Sequence, residues 1–239
     1  MDSYQAVFKR KEIKYLLTDA QLEAFRFSME QHMEPDAFPH SSISNLYYDT
    51  PDFRMIRRSL EKPLYKEKLR LRSYATPDDS SQAFLEIKKK ALGVVYKRRE
   101  SLPYSQAIAY LNGNTPGGEG QIFRELDWLL FAYGDLSPAM FVSYERDSFR
   151  GTEDPGLRLT LDRDILWRTR GLDLRLGAWG EPLLNPGETL MEIKISNAMP
   201  LWLSSALSEA GIFPVSYSKY GRAYQQMEKE LIWEDRRYA

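Results

Sequence analysis

The sequence contains no cysteine. Disulfide bridges, thiolate metal sites and a cysteine nucleophile are therefore excluded. A reducing compartment fits this, and we expect a cytoplasmic protein. Long apolar runs are also missing. The longest, Trp128–Tyr133, falls far short of the roughly 20 residues that a transmembrane helix needs. Met1-Asp2-Ser3 leads straight into a patterned segment, so no signal peptide is expected. Direct membrane insertion is not expected either, and any membrane association would rest on a separate partner. Histidine is scarce, with only His32 and His40. Charge of one sign is lacking overall, since 33 Lys and Arg face 34 Asp and Glu for a net −1. Taken alone, that total argues against a polyanion-binding protein. What is present is ordinary globular material: 239 residues, 43% hydrophobic and 28% charged, enough to bury a sizeable core.

The charges are not evenly spread. Between Arg54 and Glu100 there are 14 Lys and Arg against 6 Asp and Glu. Within Leu64–Tyr74 the even positions carry Lys66, Lys68, Arg70 and Arg72, while the odd positions include Leu69 and Leu71. Side chains alternate across a strand, so four cations line one face opposite an apolar one. The same design recurs where Glu86, Lys88 and Lys90 oppose Leu85 and Ile87. Arg10, Glu12 and Lys14 oppose Ile13, Tyr15 and Leu17. Arg158, Thr160 and Asp162 oppose Leu157, Leu159 and Leu161. Glu192, Lys194 and Ser196 oppose Met191, Ile193 and Ile195. Tyr144 and Arg146 share a face in Val142–Phe149.

Two arrangements satisfy six such strands. One is an antiparallel sheet with a wet face and a core face. The other is a barrel whose interior is charged and whose apolar exterior is covered by helices. Helices are available to cover it. Thr18 with Gln21 forms a capping box before Leu22, Phe25, Phe27 and Met29. Asp49 and Pro51 suggest a start before Phe53–Ile56. The strongest periodicity is over Glu119–Tyr133, ended by Gly134, with Trp128, Leu129 and Phe131 expected in the core. Leu201–Ala210 and Tyr220–Trp233 complete the set, with Arg236 and Arg237 on a frayed tail. Turns at Pro77-Asp78-Asp79 and Ala91-Leu92-Gly93 give hairpins, and 112–120 reads as a long loop. We expect an α+β fold, an antiparallel β-barrel or tunnel with a charged interior flanked by α-helices, in one domain over 1–239.

Crowding cations in a confined space is costly, because two like charges 4 Å apart repel by about 4 kcal/mol at an effective dielectric of 20. Such an interior calls for water, counter-ions or an anionic ligand. Glu12, Glu86 and Glu192 offset part of the charge, and as hard oxygen donors they also suit Mg²⁺ or Mn²⁺. Cations for phosphates with carboxylates for a divalent metal is the inventory of phosphoryl transfer. No Walker-type or kinase-type glycine loop is present, so a nucleotide would be held by side chains.

The segments Arg10-Lys-Glu12-Ile-Lys14-Tyr, Leu-Arg70-Leu-Arg72, Glu86-Ile-Lys88, Tyr144-Glu-Arg146, Leu-Arg158-Leu-Thr-Leu-Asp162, Met-Glu192-Ile-Lys194 and Ser218-Lys219-Tyr220 occur in this order. The ordered set, over about Phe8 to Tyr224, resembles the catalytic domain of the vacuolar transporter chaperone (VTC) polyphosphate polymerases, within the triphosphate tunnel metalloenzyme superfamily. The resemblance implies a β-tunnel that binds ATP, triphosphate or polyphosphate with Mn²⁺ or Mg²⁺ and transfers the ATP γ-phosphate to a growing chain. It implies Lys14, Arg70, Arg72, Lys88, Arg146, Arg158 and Lys219 as phosphate ligands, with Lys97, Tyr144, Lys194, Ser218 and Arg10 as further substrate-binding residues. The register of Lys97 is ambiguous within Tyr96–Arg99. Glu192 matches the family's metal ligand; Glu12 and Glu86 fit either metal ligation or ion pairing.

Much of the superfamily begins with Glu-x-Glu-x-Lys, whereas Arg10 stands first here, which favours a long phosphate chain over a two-metal hydrolytic site. Lys66, Lys68, Lys89 and Lys90 are expected to include several rim or surface charges that steer anions, and His32 and His40 read as surface residues. A tunnel-type triphosphatase and a non-catalytic polyphosphate-binding module share the same inventory. Nucleic acid is disfavoured because few exposed aromatics interleave with the strand-face cations.

Overall fold

The computed structural model describes residues 11–92, 94–196 and 198–237. Ten strands lie at Lys11–Thr18 (β1), Met33–Asp49 (β2), Tyr65–Tyr74 (β3), Gln82–Ala91 (β4), Val94–Pro103 (β5), Ser137–Gly151 (β6), Arg158–Arg168 (β7), Glu181–Pro182 (β8), Glu188–Ile195 (β9) and Pro214–Val215 (β10). Six α-helices lie at Asp19–His32 (α1), Arg54–Leu60 (α2), Tyr104–Leu111 (α3), Gln121–Tyr133 (α4), Leu201–Glu209 (α5) and Lys219–Arg237 (α6). The strands are hydrogen-bonded in the order β10-β1-β9-β7-β6-β2-β3-β4-β5, with β8 on β7. This is the expected α+β architecture. Among the described residues the path is open, ending at β10 and β5. The end strand β10 has only two residues and starts on a proline, which has no N–H to extend a ladder.

The chain forms two compact units. The first comprises residues through Ser41, Glu145–Asp164 and Leu184–Tyr217. In it β1 pairs with β9 and β9 with β7, both antiparallel. Their odd positions bury Tyr15, Leu17, Leu159, Leu161, Met191 and Ile193 against Leu22, Phe25 and Met29 of α1 and Leu203 and Leu207 of α5. The capping box forms as the spacing predicts. The Thr18 hydroxyl accepts from the Gln21 N–H at 3.3 Å, and the Gln21 side chain accepts from the Thr18 N–H at 3.1 Å.

The second unit comprises Ser42–Tyr144, Ile165–Leu183 and residues from Ser218 onward. It contains the β3-β4-β5 meander with β2 beside β3. Leu46, Leu69, Leu71, Leu85 and Ile87 pack under α2, α3 and α4 through Met55, Ala107, Tyr110, Phe123, Leu126 and Leu129. Asp49, fully buried, starts α2. Its carboxylate accepts from the N–H groups of Met55 at 2.8 Å and Ile56 at 3.0 Å, and from the Tyr220 hydroxyl at 2.8 Å. A carboxylate on the free N–H groups of a first turn is favourable twice, through hydrogen bonds and the helix dipole.

Three features differ from the sequence reading. Trp128 and Phe131 are exposed, at 64% and 79%, whereas Leu129 is buried. The apolar stripe of α4 runs through Phe123, Leu126 and Leu129, and the extra aromatics fall outside it. Helix α3 was not expected; Pro103 ends β5 and leaves Tyr104 at a helix start. Arg236 and Arg237 continue α6 as helical backbone and do not fray.

Candidate functional site: two charged strand faces

The cations of the second unit sit on the face of β3, β4 and β5 that turns away from the core. Cross-strand register arranges them in rows. Lys66 faces Lys90; Lys68 faces Lys88, which faces Lys97; Arg70 faces Glu86, which faces Arg99; Arg72 faces Phe84. This register resolves the Tyr96–Arg99 ambiguity and places Lys97 with the cations. The row Lys68, Lys88, Lys97 has three lysines side by side with no carboxylate in register. Like charges directly opposite one another destabilise a sheet, and here Lys97 is offset by Glu86 Oε1 at 2.9 Å while Lys68 is held by Ser218 Oγ at 2.8 Å.

Glu86, with 1% of its surface exposed, lies beneath these cations. Arg70 donates from Nε at 2.7 Å and approaches with Nη2 at 2.5 Å, both on Oε2. Lys97 Nζ lies 2.9 Å from Oε1, and the Nε atoms of Arg99 and Arg72 stand 3.8 and 3.9 Å away. One carboxylate therefore stands within 4 Å of four cations. Burial pushes its pKa up, but Arg70, Arg72 and Lys97 outweigh burial and hold it at about 2. Lys97 is pulled the other way: desolvation lowers its pKa, with Glu86 opposing and Arg70 and Arg72 adding to the decrease. Glu86 acts in this geometry as the counter-ion that holds the guanidinium groups in place.

Arg72 is nearly buried and fully directed. Its Nε donates to Asn45 Oδ1 at 2.9 Å and its Nη2 to the Tyr144 hydroxyl at 3.0 Å. Asn45 is itself fixed, donating to the Val142 carbonyl at 2.9 Å. The Tyr144 ring carries Lys219 Nζ 4.4 Å above its centroid. Arg70 Nη1 donates to the Tyr47 hydroxyl at 3.3 Å, and Tyr47 stacks on Tyr220 at 4.4 Å. Lys68 donates to Ser218 Oγ at 2.8 Å, and the same oxygen accepts from the Gly221 N–H at 3.2 Å at the start of α6. Lys68 is thus part of the cluster and not a rim charge. Lys88 is exposed on the same face. Asn45 and Tyr47 escaped the sequence reading. Their signal is a parity one: both lie on the β2 face opposite Leu46 and Tyr48.

The first unit holds a second cluster in which carboxylates are as prominent as cations. Arg146 grips the fully buried Asp162 through two hydrogen bonds, Nε at 2.6 Å and Nη2 at 2.7 Å. Its Nη2 lies 3.8 Å from Glu192 Oε2. Lys14 Nζ donates to the Tyr217 carbonyl at 3.1 Å and lies 3.3 Å from Glu12 and 3.4 Å from Glu192. Lys194 stands 3.8 Å from Glu192. Arg158 pairs with Asp36, a partner not foreseen from the sequence. Arg10 lies outside the described residues. Glu12 and Glu192 both flank Lys14, whereas Glu86 belongs to the other unit's cluster; among the described residues no three His, Asp or Glu side chains converge as a metal site. His40 lies on the surface between Glu145 at 3.2 Å and Asp147 at 2.9 Å, and His32 stacks on Trp202 at 4.5 Å. Among the described residues, no helix is long and apolar enough to cross a membrane.

Comparison with known proteins follows the same lines. The structure resembles a protein from Hippeastrum assigned as an adenylyl cyclase and described as having a dominant triphosphatase activity. Identity is 18%, coverage is 90% of this chain and 95% of that one, and the TM-score is 0.56. It also resembles a protein from Bacillus halodurans assigned as an adenylate cyclase, with 16% identity, 87% and 95% coverage, and a TM-score of 0.51. These likenesses are of fold alone. A search of curated proteins returned no match. A family model, the VTC domain, matches residues 9–228. That span takes in every strand face described above, and the chain belongs to the VTC domain family.

Proposed function

We propose that this protein is a divalent-metal-dependent polyphosphate polymerase, acting as a single catalytic domain over 1–239. The reading has it transfer the γ-phosphate of ATP to the end of a polyphosphate chain. The observation that carries it is the row Lys68, Lys88 and Lys97 beside the Arg70 and Arg72 pair, a cationic surface with Glu86 as its central counter-charge. An extended polyanion relieves the repulsion along that row. Lys14, Arg70, Arg72, Lys88, Arg146, Arg158 and Lys219 are the proposed phosphate ligands. Lys97, Tyr144, Lys194, Ser218 and Arg10 support them, and Arg158 would exchange Asp36 for phosphate.

In the reaction a terminal oxygen of the polyphosphate attacks the γ-phosphorus. The bond to the β-phosphate oxygen breaks, and ADP leaves with the electron pair. The protein supplies no nucleophile. Its contribution is to hold donor and acceptor in line and to neutralise charge on the transferred group. Arg70 and Arg72 suit this because Glu86, Asn45, Tyr47 and Tyr144 fix their planes in advance. Glu192, with Glu12 across Lys14, would hold Mn²⁺ or Mg²⁺. Two carboxylates with the remaining ligands from phosphate and water is a donor set these ions accept. When bound, the ion would supply positive charge that offsets part of the negative charge of the phosphates.

A second reading, a triphosphatase, is favoured by the activity described for the Hippeastrum protein. Incubation with ATP and Mn²⁺, measuring both polymer and orthophosphate, separates the two. Polymer with ADP supports the polymerase. Orthophosphate without polymer supports the triphosphatase. Tight tripolyphosphate binding without turnover would make the protein a binding module. The expected substrates are ATP and polyphosphate, not nucleic acid, in a cytoplasmic setting, with any membrane attachment provided by another protein.

A further inference from the structure

The cationic rows of the second unit end in a different chemistry. At the Arg72 end of the same outward face, β3, β4 and β5 carry Tyr74, Phe84 and Arg99, the last of them opposite Glu86. The parity of each strand puts them there: Tyr74 follows Arg72 by two, Phe84 precedes Glu86 by two, and Arg99 faces Glu86 in register. Arg99 lies flat enough over Phe84 for its guanidinium carbon to be 3.5 Å from the ring centroid, with the Tyr74 centroid 5.9 Å away. Tyr74 meets Phe84 edge-on at 5.6 Å and 80°. Tyr74 is 46% exposed, and the Arg99 side chain is 37% exposed. Elsewhere on this face β3 and β4 present Lys66, Lys68, Arg70, Arg72, Glu86, Lys88 and Lys90. Among β3, β4 and β5 these aromatics therefore lie at one end of the rows, while Tyr47 of the neighbouring β2 stands beside Arg70.

A guanidinium stacked on one aromatic ring, with a second ring braced at right angles, offers a planar cationic surface. Flat heteroaromatic bases stack on such surfaces, through aromatic faces and arginine planes alike. Arg99 is also tied to the phosphate cluster, 3.8 Å from the Glu86 carboxylate that holds Arg70 and Lys97. A ligand with a base at one end and a chain of phosphates at the other matches this succession of aromatics, guanidiniums and lysines. We propose that Tyr74, Phe84 and Arg99 form the subsite for the base of a nucleoside triphosphate. The triphosphate would then run from the Arg72 end of the face toward the row of Lys68, Lys88 and Lys97. The inference rests on the reading of the cationic face as a phosphate site and adds to it a direction and a reason to prefer nucleotide over bare triphosphate as the small substrate.

The test compares two ligands that share the phosphates and differ in the base: ATP and inorganic tripolyphosphate, each titrated calorimetrically against the full chain. Phe84→Leu removes the ring and Arg99→Lys removes the plane, while both keep the charge. Each should weaken ATP by about tenfold, the order of one lost base stack, and leave tripolyphosphate within about twofold of the wild type. Equal losses for both ligands would overturn the subsite and make these residues supports of the phosphate cluster. Unchanged ATP affinity in both variants would overturn it as well. A wild type that bound neither ligand would be a different failure, refuting the phosphate reading itself.

Discussion

Replacing Glu86 by glutamine tests the central electrostatic argument. The substitution keeps the shape of the side chain and removes the charge that faces Arg70, Arg72, Lys97 and Arg99. Its cost can be approached in two ways. The Glu86 pKa falls from 4.5 to about 2 on folding, because the three strongest cationic neighbours outweigh burial. At 1.36 kcal/mol per unit, that is about 3 kcal/mol of stability. Independently, removing one partner of a buried ion pair costs about 3–5 kcal/mol. The two agree at about 3 kcal/mol, which for a chain of this length corresponds to a fall in Tm of roughly 6–12 °C.

The sign also sets a pH dependence. Since the folded pKa is the lower one, the stabilisation is complete above pH 4.5 and is lost as pH falls toward about 2. Denaturant unfolding of wild type and E86Q, run from pH 7 down to pH 2.5, should show a gap of about 3 kcal/mol at the top that narrows steadily below pH 4.5. Tripolyphosphate should restore E86Q by more than it stabilises the wild type, because an anion then meets cations left without their counter-charge. Equal stability of the two proteins at pH 7, or a gap that does not narrow in acid, would refute the account of Glu86 as the cluster's counter-ion.

Lys88→Ala should leave the Tm of the free protein unchanged or slightly raised, since it relieves repulsion from Lys68 and Lys97. The same variant should weaken tripolyphosphate by about tenfold; a clear loss of stability with unaltered binding would count against the phosphate role. Ser218→Ala removes the acceptor for Lys68 Nζ and the Gly221 N–H, and should cost about 1 kcal/mol in urea unfolding, with Ser218→Thr recovering most of it. No measurable change would mean that the start of α6 does not depend on this hydroxyl. Trp128→Gln, on the exposed side of α4, should stay within about 0.5 kcal/mol of wild type. A loss of several kcal/mol would show that this side chain packs after all.

Alternation carried most of what could be read from residues alone. Leu69 and Leu71 against Arg70 and Arg72, or Ile193 against Glu192 and Lys194, state a strand and its two faces without any tertiary information, because neighbouring side chains on a strand must point opposite ways. Thr18 with Gln21 likewise announced a helix start from local hydrogen bonding. The ordered set of such segments was enough to suggest the family. Local rules stop at pairing. Nothing in Tyr96–Arg99 says which cation faces Lys88, since each strand's register depends on its neighbour. Asn45 looks like any polar residue until β2 lies beside β3 and its amide meets Arg72. The roles of the carboxylates also depended on tertiary neighbours: Glu86 became a buried counter-ion, whereas Glu192 and Glu12 came together around Lys14. The absence of cysteine and the near-zero net charge are properties of composition, fixed before folding. Which charges confront one another is decided by strand order and register, because electrostatic energy depends on distance and burial and the chain alone specifies neither.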